Sequence, residues 1–218
     1  MADYAVSMKS SLAQAPIAKL DLYEINKADY ATPRTPVLLR IAQATYLGIA
    51  GRGTPGGEAF QQAIGALYSV AFTIKMASKF AGRDYGVSKL EGLWWVDSGH
   101  TFMTEPKDRW SWRLLIRTPD FIGKRELEAA RKKLAEKGKE PLFKEVELTA
   151  LNEDQCVQML HTGPYDREAE TVRQMETFAA AQGYRFDGLH HEIYLSDPRR
   201  VAPEKLQTIL RIPVRQVS

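Results

Sequence analysis

The chain has 218 residues, 44% hydrophobic and 26% charged, and its 30 basic and 27 acidic side chains leave a formal charge of +3. That balance excludes a disordered polypeptide and predicts one domain or two small fused halves. No run approaches the ~20 apolar residues of a membrane span, the opening MADYAVSMKSS has no signal-peptide character, and Cys156 is the single cysteine, so a reducing cytoplasm is the expected location.

Residues 1–35 read as a lead-in over the surface, with two prolines in ADYATPRTP. Residues 37–41 and 44–50 have strand character and end at GRGTPGG, a flexible loop without the spacing of a phosphate-binding motif. From residue 58 to 81, Phe60, Ile64, Leu67, Ala71 and Ile74 recur at helical spacing, and Gly82 supplies the stop. Residues 87–97 and 110–117 follow as two strands. In the second, Trp110, Trp112, Leu114 and Ile116 alternate with Ser111, Arg113, Leu115 and Arg117.

The basic run KRELEAARKKLAEK at 124–137 is broken by three glutamates and reads as a solvated connector helix, so no direct nucleic-acid contact is expected. Strands at 146–150 and 156–161 come next. A helix then opens after HTGPY, with Asp166 as its cap and Glu168 and Glu170 favouring the positive end of its dipole. Val172, Met175 and Phe178 form its buried face and Gly183 ends it, before strands at 189–195 and 206–214. The order strand, helix, strand, strand thus occurs in half one (36–120) and again in half two (141–218), on either side of a connector at 121–140. An α+β fold follows, with two β-α-β-β modules of antiparallel sheet, a tandem duplication in element order, and a ligand cleft between the halves.

Alternation places His190, Glu192 and Tyr194 on one face of their strand, and His191, Ile193 and Leu195 on the other. Glu192 sits mid-strand, where β propensity disfavours it, so it lies either on a wet face or in a cleft. All four tryptophans fall on the two strands of half one. Trp94 and Trp95 point to opposite faces, and Trp110 and Trp112 each suit either a large-residue core or a pocket wall. Aromatic walls around a carboxylate suit a flat or cationic ligand and make the carboxylate a usable proton acceptor. Glu91 is either a second pocket carboxylate or a surface residue at the start of its strand. Tyr68 and Tyr165 are candidate hydroxyl donors, and Met103, in the connection between the tryptophan strands, joins the ligand-lining set with Tyr194. His190, His191 and Glu192 resemble metal ligands only superficially, because adjacent strand histidines point apart. No nucleophile elbow occurs, and Cys156 has no base nearer than His161. No metal or other cofactor is called for.

YLGIAGRG at 46–53, ALYSVAF at 66–72, LEGLWW at 90–95, WSW at 110–112, HTGPYD at 161–166 and HHEIYLSDP at 190–198, with PEKLQTILR at 203–211, resemble the GyrI-like small-molecule-binding domain family, specifically its stand-alone bacterial members. The resemblance covers residues 21–214 and implies two β-α-β-β modules about a pseudo-twofold axis. It also implies a cleft in which a buried glutamate among aromatics receives hydrophobic or cationic compounds, and Glu192 fits that glutamate. Some stand-alone members are similar to cyclopropanoid cyclopropyl hydrolases, which open the strained ring of DNA-alkylating compounds with water. That likeness implies Glu192 as the base, Tyr165 or Tyr68 as donor to the dienone carbonyl, and Trp95, Trp110 and Trp112 as stacking walls. Non-catalytic drug sequestration and a regulatory contact with a macromolecule such as DNA gyrase are the other activities the resemblance allows. The helix-turn-helix of the transcription regulators in this family has no counterpart here.

Overall fold

In a computed structural model the described residues are 19–98 and 104–217. Among these residues the α-helices are α1 (Leu22–Ile25), α2 (Glu58–Phe80), α3 (Lys124–Glu136) and α4 (Glu168–Ala181). The strands are β1 (Val37–Ile41), β2 (Ala44–Arg52), β3 (Glu91–Trp95), β4 (Ser111–Arg117), β5 (Glu147–Leu151), β6 (Asp154–Thr162), β7 (Tyr184–Phe186), β8 (His190–Tyr194) and β9 (Gln207–Gln216). Among the described residues no helix is long and apolar enough to cross a membrane.

The strands form a curled antiparallel sheet in the order β1-β6-β9-β8-β3-β4-β2-β5, with β7 added on β9. The two halves expected as separate sheets are therefore joined edge to edge. The seam is the β3–β8 pair, in which Gly92 faces Glu192 and Leu93 faces His191. In half one α2 lies between β2 and β3-β4; in half two α4 lies between β6 and β8-β9, with the short β7 interposed before β8. Each half also takes an outer strand from the other half's side of the chain. β1, which precedes β2, pairs with β6, and β5, which precedes β6, pairs with β2.

One face of the sheet is covered by helices. The stripe Phe60, Ala63, Leu67, Val70, Ala71 and Ile74 on α2 packs on Leu47, Ile49, Trp94, Trp112, Leu114 and Ile116, and Leu127, Ala130 and Leu134 of α3 extend this core. Over half two, Met175 and Ala179 of α4 pack on Val157, Met159, Leu210 and Ile212. α2 stops one residue before the expected end, with Ala81 as its cap residue and Gly82 at φ 78°, the left-handed conformation that lets the chain leave the helix.

The opposite face is built differently. There Ala44, Tyr46, Leu93 and Leu115 form a small cluster beside a buried charged network, and the stretch expected to run over the surface lies on top of it. Tyr30 is buried, stacks on Tyr23 and packs on Ile193 and Ile209. The side chains of Gln158 and Arg211 donate to the carbonyl oxygen of Asp29, and Gln158 donates as well to that of Ala31. Asp29 in turn holds Arg117 at 2.8 Å. Residues 20–35 are thus a strap across both halves, because buried β-strand donors need acceptors and the strap's backbone supplies them.

The helix start of half two also differs from expectation. A 3-10 turn at Tyr165–Arg167 precedes α4, Arg167 occupies the cap position, and no side chain caps the helix. Pro164 and the positive φ of Gly163 set this tight turn, so Asp166 never reaches the first helical N–H groups.

Candidate functional site

Strand period fixes which side chains can meet. On β8, His190, Glu192 and Tyr194 face the helix-covered side, beside Trp94 of β3 and next to the start of α4. Each of the carboxylates and the histidine is buried there, with Glu192, His190 and Glu168 all at 5% exposure. His190 Nε2 stands 3.3 Å from Glu192 Oε1 and 4.0 Å from Glu168 Oε2. Carboxyl oxygens of Glu168 and Glu192 lie within 4.8 Å of each other in this buried group, where two negative charges would be costly. Burial, then the charge of Glu192, pushes Glu168 well above the usual carboxylate range.

Hydroxyl groups complete the arrangement. The indole Nε1 of Trp94 donates to the Tyr194 hydroxyl at 3.2 Å, and that hydroxyl hydrogen-bonds Glu192. The Tyr165 ring lies edge-on to Tyr194 with centroids 6.0 Å apart. Burial raises both phenols, and the charge of Glu192 adds to it. Tyr165 is pushed up to about 12 and Tyr194 well above its ordinary value, so both keep their protons at neutral pH. Gly92 makes room for this group, since a Cβ there would sit 2.9 Å from the Tyr194 hydroxyl and 3.1 Å from Trp94 Nε1.

The remaining candidates divide. Trp110 meets Trp94 edge-on at 5.8 Å, its indole N–H donates to the Glu105 carbonyl, and Lys107 Nζ lies 5.8 Å from its ring. Trp112 is sealed in the α2 core against Phe60. Trp95 is on the opposite face with Leu93 and Leu115. Tyr68 stacks on Phe72 and feels Asp197 and the backbone of Leu90, whose carbonyl accepts from the Tyr194 N–H. Met103 lies outside the described residues.

Glu91 is fully buried, not at the surface, and on the face away from Glu192. It accepts from Tyr30 and lies 3.0 Å from His191 Nε2. His191 Nδ1 is 3.0 Å from Glu153, which also holds Arg211 at 3.0 Å. Sequence reasoning missed Glu168. The signal was present, since Glu168 falls in helical register with the buried Thr171, Met175 and Ala179.

Glu168, His190 and Glu192 have metal-ligand donor types within 4.8 Å of one another. As arranged, the group is suited to moving protons: a carboxylate, a neighbouring acid and two protonated phenols on one buried surface beside indoles.

Comparison with known proteins identifies the family and the fold. The family model of the GyrI-like small molecule binding domain matches residues 35–215. An uncharacterised conserved protein from Listeria innocua is 37% identical with a TM-score of 0.85, covering 90% of this chain and 100% of its own. A hydrolase from the same organism is 38% identical with a TM-score of 0.83, covering 91% and 100%. The EcmrR C-terminal domain shares the fold at 14% identity, with a TM-score of 0.55 over 84% of this chain and 98% of its own. A search of curated proteins returns no match.

Proposed function

The chain belongs to the GyrI-like small molecule binding domain family, and from that premise we propose that it is a hydrolase that opens hydrophobic, cyclopropanoid DNA-alkylating compounds by adding water. The observation that carries this reading is Glu192, buried beside Trp94 and hydrogen-bonded to Tyr194, with the Tyr165 phenol facing it. The likeness to a Listeria innocua hydrolase over nearly the full length supports it.

Glu192 takes a proton from a water molecule as the water oxygen bonds to the cyclopropane carbon. The C–C bond of the three-membered ring breaks, its electron pair makes the adjoining ring aromatic, and the dienone oxygen becomes a phenol oxygen. Tyr165 donates a hydrogen bond to that oxygen, and the proton removed from water returns to the product, so the net change is one water added. Trp110, half-buried and edge-on to Trp94, supplies the aromatic surface on which a planar substrate stacks.

Incubation with a cyclopropyl-indole alkylator, followed by mass spectrometry, should give a product heavier by one water. Glu192→Gln should lose turnover by ~10²-fold or more while keeping much of the binding. Hydrolysis by the variant at the parent's rate would remove Glu192 from the mechanism. A second reading, sequestration of lipophilic cations, is favoured by the paired carboxyl groups, whose proton a cationic ligand could replace. It predicts saturable quenching of tryptophan fluorescence by a rhodamine with no chemical change.

A further inference from the structure

We propose that Glu168 is a positioning residue for Glu192: it remains a carboxylic acid, donates its proton as a hydrogen bond to the Glu192 carboxylate, and so holds that carboxylate ionised and oriented at a place where two charges could not be buried together. The consequence for turnover rests on the hydrolytic reading above; the protonation state of Glu168 does not.

Three observations support the assignment. The first is placement. Glu168 opens α4 and Glu192 lies mid-strand on β8, so the two carboxyl groups approach from different elements and are fixed by different parts of the core. Met175 and Ala179 hold the helix, while the pairing of β8 with both β3 and β9 holds the strand. The second is burial. Each residue is 5% exposed, and a pair of charges there would each forgo hydration while repelling the other. The third is satisfaction. Glu168 Oε1 has no hydrogen-bond partner among the described residues, which a neutral acid tolerates far better than a carboxylate does.

The groups facing Glu168 are consistent with a retained proton. From β8 come Glu192, His190 and Tyr194; from the preceding turn, Tyr165; from the 3-10 turn before β4, Lys107. Burial and Glu192 both favour the acid form, and Lys107 opposes them more weakly. A first-turn glutamate would ordinarily be solvated and stabilised by the helix dipole; here the helix end is turned onto the sheet and the dipole acts on a group that is already sealed.

During the reaction the pair begins with one negative charge. When Glu192 accepts the proton of the attacking water, the pair becomes neutral, and release of that proton to the product restores the starting state. Glu168 keeps its own proton throughout, so it acts only through Glu192.

The test combines an infrared and a kinetic measurement on the full chain. At neutral pH the parent should show the C=O stretch of a protonated carboxylic acid, and Glu168→Gln should lose it. Absence of the band in the parent, or its persistence in Glu168→Gln, would overturn the proposal. For turnover, Glu168→Ala should lower kcat/KM by more than about tenfold and shift its acidic limb to higher pH, because Glu192 loses a donor. Glu168→Gln, which can still donate from its amide, should restore both toward the parent. A purely structural role would lower the rate in both variants without moving the limb, and that result also counts against it. If the parent hydrolyses nothing yet the band is present and lost in Glu168→Gln, the hydrolytic reading fails and the proton assignment stands.

Discussion

His191 Nε2 lies 3.0 Å from Glu91 Oε2 across the β3–β8 seam, on the face of the sheet away from Glu192. Its other ring nitrogen, Nδ1, hydrogen-bonds Glu153 at 3.0 Å, so the ring lies between two carboxyl groups. Burial alone would discourage a charged imidazole, but Glu153 and Glu91 outweigh it and raise His191 to about 9. With Arg211 and Arg117, the imidazolium balances Glu91, Glu153 and Asp29, and the interior network is neutral overall.

That balance predicts a bounded pH range of stability. A raised histidine contributes fully below its unfolded value near 6.5, and its contribution is lost as pH rises through about 9. Glu153, lowered to about 2 chiefly by His191 against the cost of burial, contributes above about 4.5 and is lost as pH falls toward 2. Thermal melting should therefore be highest between about pH 4.5 and 6.5. His191 alone should account for a loss on the order of 3 kcal/mol by pH 10. His191→Gln should be less stable at pH 6 and lack the alkaline decline, and a parallel decline in the variant would dismiss this account.

Arg211 is 1% exposed and bonds Glu153, Gln158 and the Asp29 carbonyl. Replacing it with Met leaves Glu153 with His191 as its remaining cationic partner and removes one of the two side chains that hold the Asp29 carbonyl of the strap. A loss of about 3–5 kcal/mol in denaturant unfolding is expected, together with faster protease cleavage within residues 20–35. Unchanged protection of that stretch would show that the strap is held by its apolar contacts instead.

Removing one oxygen at Tyr194 tests the hydrogen-bond line from Trp94 to Glu192. Tyr194→Phe keeps the ring against Tyr165 but leaves the Trp94 N–H without its acceptor, at a cost of about 1–3 kcal/mol. Turnover should fall by ~10- to 100-fold with KM near the parent's, read from steady-state kinetics.

Gly92→Ala probes the same line from the other strand. The added Cβ meets the Tyr194 hydroxyl and the Trp94 nitrogen inside ordinary contact distance, so Tyr194 must move. The stability cost should be about 1–3 kcal/mol, a fall of a few degrees in Tm, with a larger proportional loss of activity. Parent-like kinetics in a folded variant would mean that the hydroxyl's position is unimportant.

Local periodicity carried much of this molecule. The α2 stripe, the alternation on β4 and the division of β8 into a Glu192 face and a His191 face all follow from spacing within one element. What spacing could not supply were partners distant in sequence. Glu91 looked like a surface residue because the histidine that buries it is on β8, and Tyr30 looked like part of a loop because its acceptor is on β3. Asp166 satisfied the composition rule for a helix cap, but the 3-10 turn set by Gly163 and Pro164 displaced it, and the same turn brings Glu168 onto the sheet.

The exchange of outer strands bears on how the polypeptide is made. Val37 pairs with Gln158, and β1 leaves the ribosome long before β6 exists. Until then β6 cannot shield it, and β2 likewise waits for β5 along its free edge. Neither half can finish alone, and a chain cut at the α3 connector would yield two fragments that each lack an outer strand and keep an orphan in its place. Co-expressed, such fragments should recover a native assembly only by finding each other, which makes the whole sheet, not either half, the smallest unit that folds.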